Sequence, residues 1–375
     1  MAIPGIATPA GTLNYRQQQG KECAPEHFRE VKGLIVSSIG VGTYLGKSDA
    51  QTDALVAAAI VESVKHGVNL IDTAINYRHQ HGERSVGQGI LQLIESGTAL
   101  REELILCTKG GFIPNRDRVN WFRQEYIENS SFNLSEADIV AQCHCMHPAY
   151  LHDQLERSLV NLGLEAVDIY YIHNPETQLS EVTPEVFYAR LKAAFEFLES
   201  AVDAGKISAY GLATWSGFRV TPLEKNHLDL ARIKAIAKSV ASGKESHFRF
   251  IQLPLNLAMP EALLLPTQSL EGKLVPAIEA AQRLGITPIA SAAIAQAKVL
   301  DNIPAQIASN LGDLIETNAQ LALQFTRSAP GLLTALVGMK TPKYVAENLA
   351  LTRISPMAET NFQLFKGKLI KSNDN

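Results

Sequence analysis

The chain has 375 residues, 46% of them hydrophobic, with a net charge of −4 and a pI near 6.2. That composition supplies a large core and leaves no basic patch with interleaved aromatics, so nucleic acid is not an expected partner. No apolar run reaches the ~18 residues that argue for a membrane span, and MAIPGIATPAG lacks a basic n-region, so a cytoplasmic, reducing setting is expected.

Residues 1–32 read as an N-terminal extension whose polar stretch, YRQQQGKECAPEHFREVKG, suits a short hairpin covering the bottom of the fold. From Gly33 onward, short runs rich in Val, Ile and Leu alternate with longer segments of 3.6-residue period. Eight strand candidates follow in order: GLIVSSIGVG, VNLID, ELILCTK, VDIYYIH, ISAYGLAT, FRFIQLP, ITPIAS and LLTALVG. Amphipathic helices separate them, several ending at a glycine (Gly67, Gly163, Gly205, Gly285) that suits a left-handed helix stop. Eightfold β-then-α order implies parallel strands and right-handed crossovers. The expected fold is an α/β (β/α)8 TIM barrel over 33–375, with the N-terminal extension and a long loop after strand three. A doubly wound open sheet is disfavoured because GVGTYLG fits the glycine spacing of a dinucleotide turn incompletely.

That loop, residues 112–147, far exceeds the usual few residues. With Phe112, Trp121, Phe122, Tyr126 and Phe132 it reads either as a lid or pocket wall or as a solvent-exposed insertion. The cysteines are Cys23, Cys107, Cys143 and Cys145, of which Cys107 reads as a core filler. Cys143-His144-Cys145-Met146-His147 lacks a second Cys/His pair at tetrahedral spacing, so no metal is expected.

Asp72, Lys109 and His173 fall at the C-terminal tips of three consecutive strands, and Tyr77 follows Asp72 by five residues. Strand tips form the catalytic face of a β/α barrel. An acid, a phenol, an amine and an imidazole converging there can protonate a carbonyl oxygen while a hydride reaches the carbon.

Several ordered segments resemble the aldo-keto reductase family across nearly the whole barrel: VSSIGVGTYLG, HGVNLIDTAINY…GERSVGQGI, LILCTKGG, LERSLVNLGLEAVDIYYIHNP, AGKISAYGLATW and PGLLTALVGMKTPKYVAENLA. The resemblance implies NAD(P)H-dependent reduction of an aldehyde or ketone. Tyr77 would be the general acid, Lys109 would lower its pKa, Asp72 would hold Lys109, and His173 would orient the substrate oxygen. Hydride would come from the cofactor.

The resemblance also assigns a cofactor set, with departures. Ala213, Thr214 and Trp215 stand where the family has Ser-Asn-Phe, leaving Thr214 as the hydroxyl toward the nicotinamide carboxamide. Gln252 matches a carboxamide-binding glutamine. Ser291 begins Ser-Ala-Ala-Ile, which lacks the usual stacking aromatic. In GMKTPKYVAEN, Gly338, Lys340 and Thr341 match the phosphate-binding motif, Lys343 follows, Tyr344 replaces an arginine, and Glu347 and Asn348 match adenine contacts. NADP(H) is preferred over NAD(H) on this basis. Tyr44, Trp121 and Trp215 would form an aromatic wall for a small carbonyl substrate. The alternatives are a nicotinamide-nucleotide-binding redox-sensing or regulatory protein, and a Schiff-base lyase using Lys109. The second is disfavoured because Asp72 keeps the amine charged.

Overall fold

Eight parallel strands close into a barrel in the computed structural model, which describes residues 2–295, 315–364 and 366. The chain enters through a hairpin of β1 (Phe28–Val31) and β2 (Leu34–Ser37). The barrel strands then follow as β3 (Ile39–Gly42), β4 (Leu70–Asp72), β5 (Ile105–Gly110), β6 (Val167–His173), β7 (Ile207–Ala213) and β8 (Phe248–Pro254). After a second hairpin, β9 (Pro266–Leu270) and β10 (Lys273–Pro276), come β11 (Thr287–Ser291) and β12 (Ala335–Gly338). β12 pairs with β3 and completes the cylinder. All eight expected runs contribute a barrel strand. They are buried on both faces, which explains their near-continuous apolar character. A helix follows each one, including Ala50–Lys65, His81–Glu95, Pro148–Leu162 and Pro342–Leu349. Gly163 closes the third of these at φ 67°, donating its N–H to Leu159 and Val160.

Two expectations change in detail. The run Gly33–Gly42 is not one strand. Lys32 and Gly33 both have positive φ (50° and 84°), a turn that folds Leu34–Ser37 back onto Phe28–Val31. Only the second half of the run joins the barrel. The stretch beginning YRQQQ is also not hairpin throughout. Thr8 caps a helix over Pro9–Gln18 by accepting from the Gly11 N–H (2.9 Å), and Pro9 supplies its preset φ. Tyr15 on that helix is fully buried and donates to the Val64 carbonyl at 2.5 Å.

The hairpin seats Val31, Leu34 and Val36 against Leu70, Ile105, Ile169, Ala209, Phe250 and Leu333. These lie toward the N-terminal ends of their strands, so the hairpin plugs the bottom of the barrel. A larger apolar layer joins the outer strand faces to the helices. The 112–147 insertion has its own small core, in which Ile113, Phe122, Tyr126, Leu134 and Cys145 gather around Tyr150 of the following helix. It is a folded lobe on the rim rather than an open loop. No helix among the described residues is long and apolar enough to cross a membrane.

Candidate active site

Plugging one end leaves the strand tips at the other as the place for polar groups. Asp72 ends β4 and Lys109 lies near the tip of β5, fully buried. An isolated buried ammonium would be strongly disfavoured, but Lys109 Nζ donates to Asp72 Oδ2 (2.5 Å) and the Thr73 carbonyl (2.8 Å). Burial pulls the lysine pKa down. Asp72 and Tyr77 outweigh it, and Lys109 stays charged, above its ordinary range.

The ammonium lies 4.8 Å from the Tyr77 ring centroid. Burial raises the Tyr77 phenol above its ordinary range, and Lys109 is the largest opposing influence. The expected lysine pull is present, but the expected net acidification is reversed. Tyr77 therefore holds its proton at neutral pH, the form that donates. The chain leaves Tyr77 through three successive left-handed residues, Arg78, His79 and Gln80 (φ 51°, 54° and 73°). Such conformations cost on the order of 1–2 kcal/mol each in non-glycine residues. The buried Arg78 guanidinium holds the turn by donating to Asp53 Oδ1 (2.7 Å), Ser85 Oγ (2.7 Å) and the Lys47 and His81 carbonyls.

His173 ends β6 beside Tyr77, with ring centroids 5.7 Å apart. Burial, the Lys109 charge and His144 push its pKa well down, so the ring is neutral. Its Nδ1 lies 3.2 Å from Asn76 Oδ1. Its backbone carbonyl accepts from Nε2 of the fully buried His144 at 2.7 Å. His144 Nδ1 in turn accepts from Gln178 Nε2 (2.9 Å), and Arg190 donates to Gln178 Oε1 (2.6 Å). The Phe112 ring sits edge-on to both imidazoles at 5.1 Å. The sequence does not single out Asn76 or His144 as parts of the site, whereas Phe112 lines the cavity as the pocket-wall reading of the insertion expects. The sequence offers His144 as a metal ligand, a reading its spacing disfavours, or as part of a polar loop near the barrel mouth. In the same run Cys145 Sγ accepts from the His147 N–H, and His147 Nδ1 accepts from the Ala149 N–H at the start of a helix. Among the described residues no three His, Cys, Asp or Glu side chains are grouped to hold a metal ion.

A cavity of about 950 Å³ opens over these groups. Asp72, Tyr77 and His173 line it on one side, with Thr214, Gln252 and Ser291 at the tips of the next strands. Gly338, Glu347 and Asn348 lie toward the last helix. Lys340 and Thr341 do not line it. Lys340 lies beside Gly46, and Thr341 is the exposed residue preceding the helix Pro342–Leu349. Gln252 lines the cavity and has a contact the sequence does not suggest, its amide nitrogen donating to Asp72 Oδ1 at 2.8 Å. Of the expected aromatic wall, Tyr44 and Trp215 line the cavity. Trp121 packs instead on Tyr126 and under Arg157 in the insertion, and Phe112 lines the mouth from that side. Thr317, which the sequence reading missed, meets Glu347 at 2.5 Å. Two buried polar atoms along this path, Thr214 Oγ1 and Asn348 Oδ1, have no hydrogen-bond partner among the described residues.

The family model for the aldo/keto reductases matches residues 38–244, more than half of the chain and spanning all three candidate catalytic strand tips together with Tyr77. The chain belongs to the aldo/keto reductase family. It is 28% identical over 221 residues to the NAD(P)H-dependent D-xylose reductase of Kluyveromyces lactis, covering 54% of each chain. It is 26% identical over 210 residues to aldo-keto reductase family 1 member C13 of Mus musculus, covering 54% of this chain and 51% of that one. The chain thus spans about half the length of these curated relatives. Among solved structures, an aldo/keto reductase from Klebsiella pneumoniae in complex with NADP and acetate superposes with a TM-score of 0.61 at 21% identity. That match covers 92% of this chain and 96% of the other, and at this identity it speaks for the fold.

Proposed function

We propose that this protein is an NAD(P)H-dependent carbonyl reductase of the cytoplasm, converting an aldehyde or ketone to the alcohol. The observation that carries the reading is a fully buried, charged lysine shared between a carboxylate and a phenol at the barrel mouth, beside a neutral imidazole. Four free thiols agree with a reducing compartment.

The lining fits a dinucleotide. The unpartnered Thr214 hydroxyl suits a carboxamide, the unpartnered Asn348 oxygen suits an adenine amino group, and Ser291, Gly338 and Glu347 lie along the same cavity. A bound reduced nicotinamide would supply hydride to the carbonyl carbon. Tyr77 gives its proton to the carbonyl oxygen, and Lys109 steadies the phenolate left behind. Asp72, fixed by Lys109 on one oxygen and Gln252 on the other, keeps the ammonium aimed. A half-turn of the Asn76 amide would place its nitrogen on His173 Nδ1 and leave the ring proton on Nε2, free to bind the substrate oxygen.

Oxidation of NADPH on mixing with a panel of aldehydes tests the reading; a protein that binds the nucleotide but reduces none would be a sensor instead. NADPH is preferred over NADH in this reading, with Lys340 and Thr341 at the rim meeting the 2′-phosphate. Cofactor titrations should show NADPH binding tighter, with the difference shrinking in Lys340→Ala; equal affinities would remove that role. His144→Leu should lower kcat/KM by about tenfold or more, because small displacements of a catalytic group are costly. Nucleotide affinity should be unchanged, and His144→Gln, which keeps a donor, should recover part of the loss in steady-state kinetics.

A further inference from the structure

Three formally charged side chains line the cavity, and two are already answered. Asp72 is matched by Lys109 at 2.5 Å. Glu347 lies on the helix Pro342–Leu349, where it accepts from Thr317. The third is Arg118, on the insertion, at the start of the short helix Arg118–Phe122. It has no hydrogen-bond or ion-pair partner among the described residues, whereas Arg123 five residues on is bound to Glu136 at 2.6 Å. The neighbouring Asp117 carboxylate accepts from Asn120 rather than turning to Arg118. Burial first, then the charges of Arg116 and Arg118, hold the pKa of nearby His79 below its ordinary range. Arg118 shares the mouth with Phe112, whose ring abuts His173, while Tyr44 and Trp215 line the same cavity. An apolar body on these rings, with its carbonyl at Tyr77 and His173, would place a substituent within the field of an unanswered guanidinium.

We propose that Arg118 is an anion subsite, and that the substrate is an aromatic or otherwise apolar aldehyde or ketone bearing a carboxylate. The proposal rests on the carbonyl-reductase reading above and names its substrate class. A planar carboxylate matches the two-pronged donor face of arginine better than that of lysine. The site adds binding outside the reacting atoms, so its contribution falls mainly in KM.

The test compares 4-carboxybenzaldehyde with 4-nitrobenzaldehyde, a neutral analogue of similar shape, using the full chain with NADPH. The wild type should favour the carboxylate in kcat/KM. Arg118→Ala should remove at least about tenfold of that preference, the scale of one charge-assisted contact, with turnover of the nitro compound unchanged within about twofold. Arg118→Lys should recover only part. Equal use of both aldehydes by the wild type, or a preference untouched by Arg118→Ala, would overturn the subsite while leaving the reductase reading intact. If neither aldehyde is reduced, the aldehyde panel above decides that reading, and the subsite is decided separately by quenching of tryptophan fluorescence with benzoate against benzamide. Benzoate binding weakened by Arg118→Ala supports it. Binding unaffected by the substitution rejects it.

Discussion

Tyr77→Phe is expected to abolish carbonyl reduction, by at least about 100-fold in kcat, the lower bound usual for loss of a positioned proton donor. Phenylalanine keeps the ring that stands edge-on to Tyr44 at 5.0 Å and His173 at 5.7 Å, so nucleotide affinity and thermal stability should change little. Stopped-flow nucleotide oxidation with fluorescence titration of NADPH separates the two effects; full turnover in the variant would remove Tyr77 from the chemistry. The pH dependence has a definite sign. Burial holds the Tyr77 pKa above the ordinary phenol range, and the reducing form is the protonated one. Reduction should persist across neutral pH and fall only as pH rises through that raised value, above ~10. A limb due to Tyr77 near neutrality would contradict it.

Lys109→Met should be costly twice. It leaves the buried Asp72 carboxylate without its counterion, a loss of about 3–5 kcal/mol for a buried pair broken from one side. It also takes away the charge that stabilises the phenolate, and with it about 100-fold or more of turnover. The Tyr77 alkaline limb should move further upward, since the largest influence lowering that pKa is gone. The double variant Asp72→Leu, Lys109→Met separates the two costs, because apolar replacement of a whole buried pair is often neutral. Urea denaturation should show stability largely regained while activity stays lost. Regained activity would mean the pair is structural only.

The barrel was legible because each strand is buried on both faces and therefore announces itself as an apolar run. The polar exceptions Asp72, Lys109 and His173 stood out at the ends of such runs, and Tyr77 lay close enough in sequence to be found with them. What escaped depends on contacts across the fold. The split of Gly33–Gly42 turns on two left-handed residues, Lys32 and Gly33, and the β9–β10 hairpin on Glu271 and Gly272. Gln252 looked like a cofactor residue alone because its bond to Asp72 crosses 180 residues of chain. Trp121 and Phe112 are both aromatic and both in the insertion. Only the lobe's own packing decides that the first is internal and the second faces the mouth.

The hydrogen bond from His144 to the end of β6 has a consequence for engineering and divergence alike. The lobe that carries Arg118 and Phe112 also braces the His173 imidazole, through a side chain wedged against Gly111, where any Cβ would come within 2.8 Å of its ring nitrogen. Grafting a foreign loop onto this rim to change what enters would thus slacken the machinery beneath. Compensating substitutions at Gly111, Gln178 and Arg190 would have to travel with the graft as one inherited block.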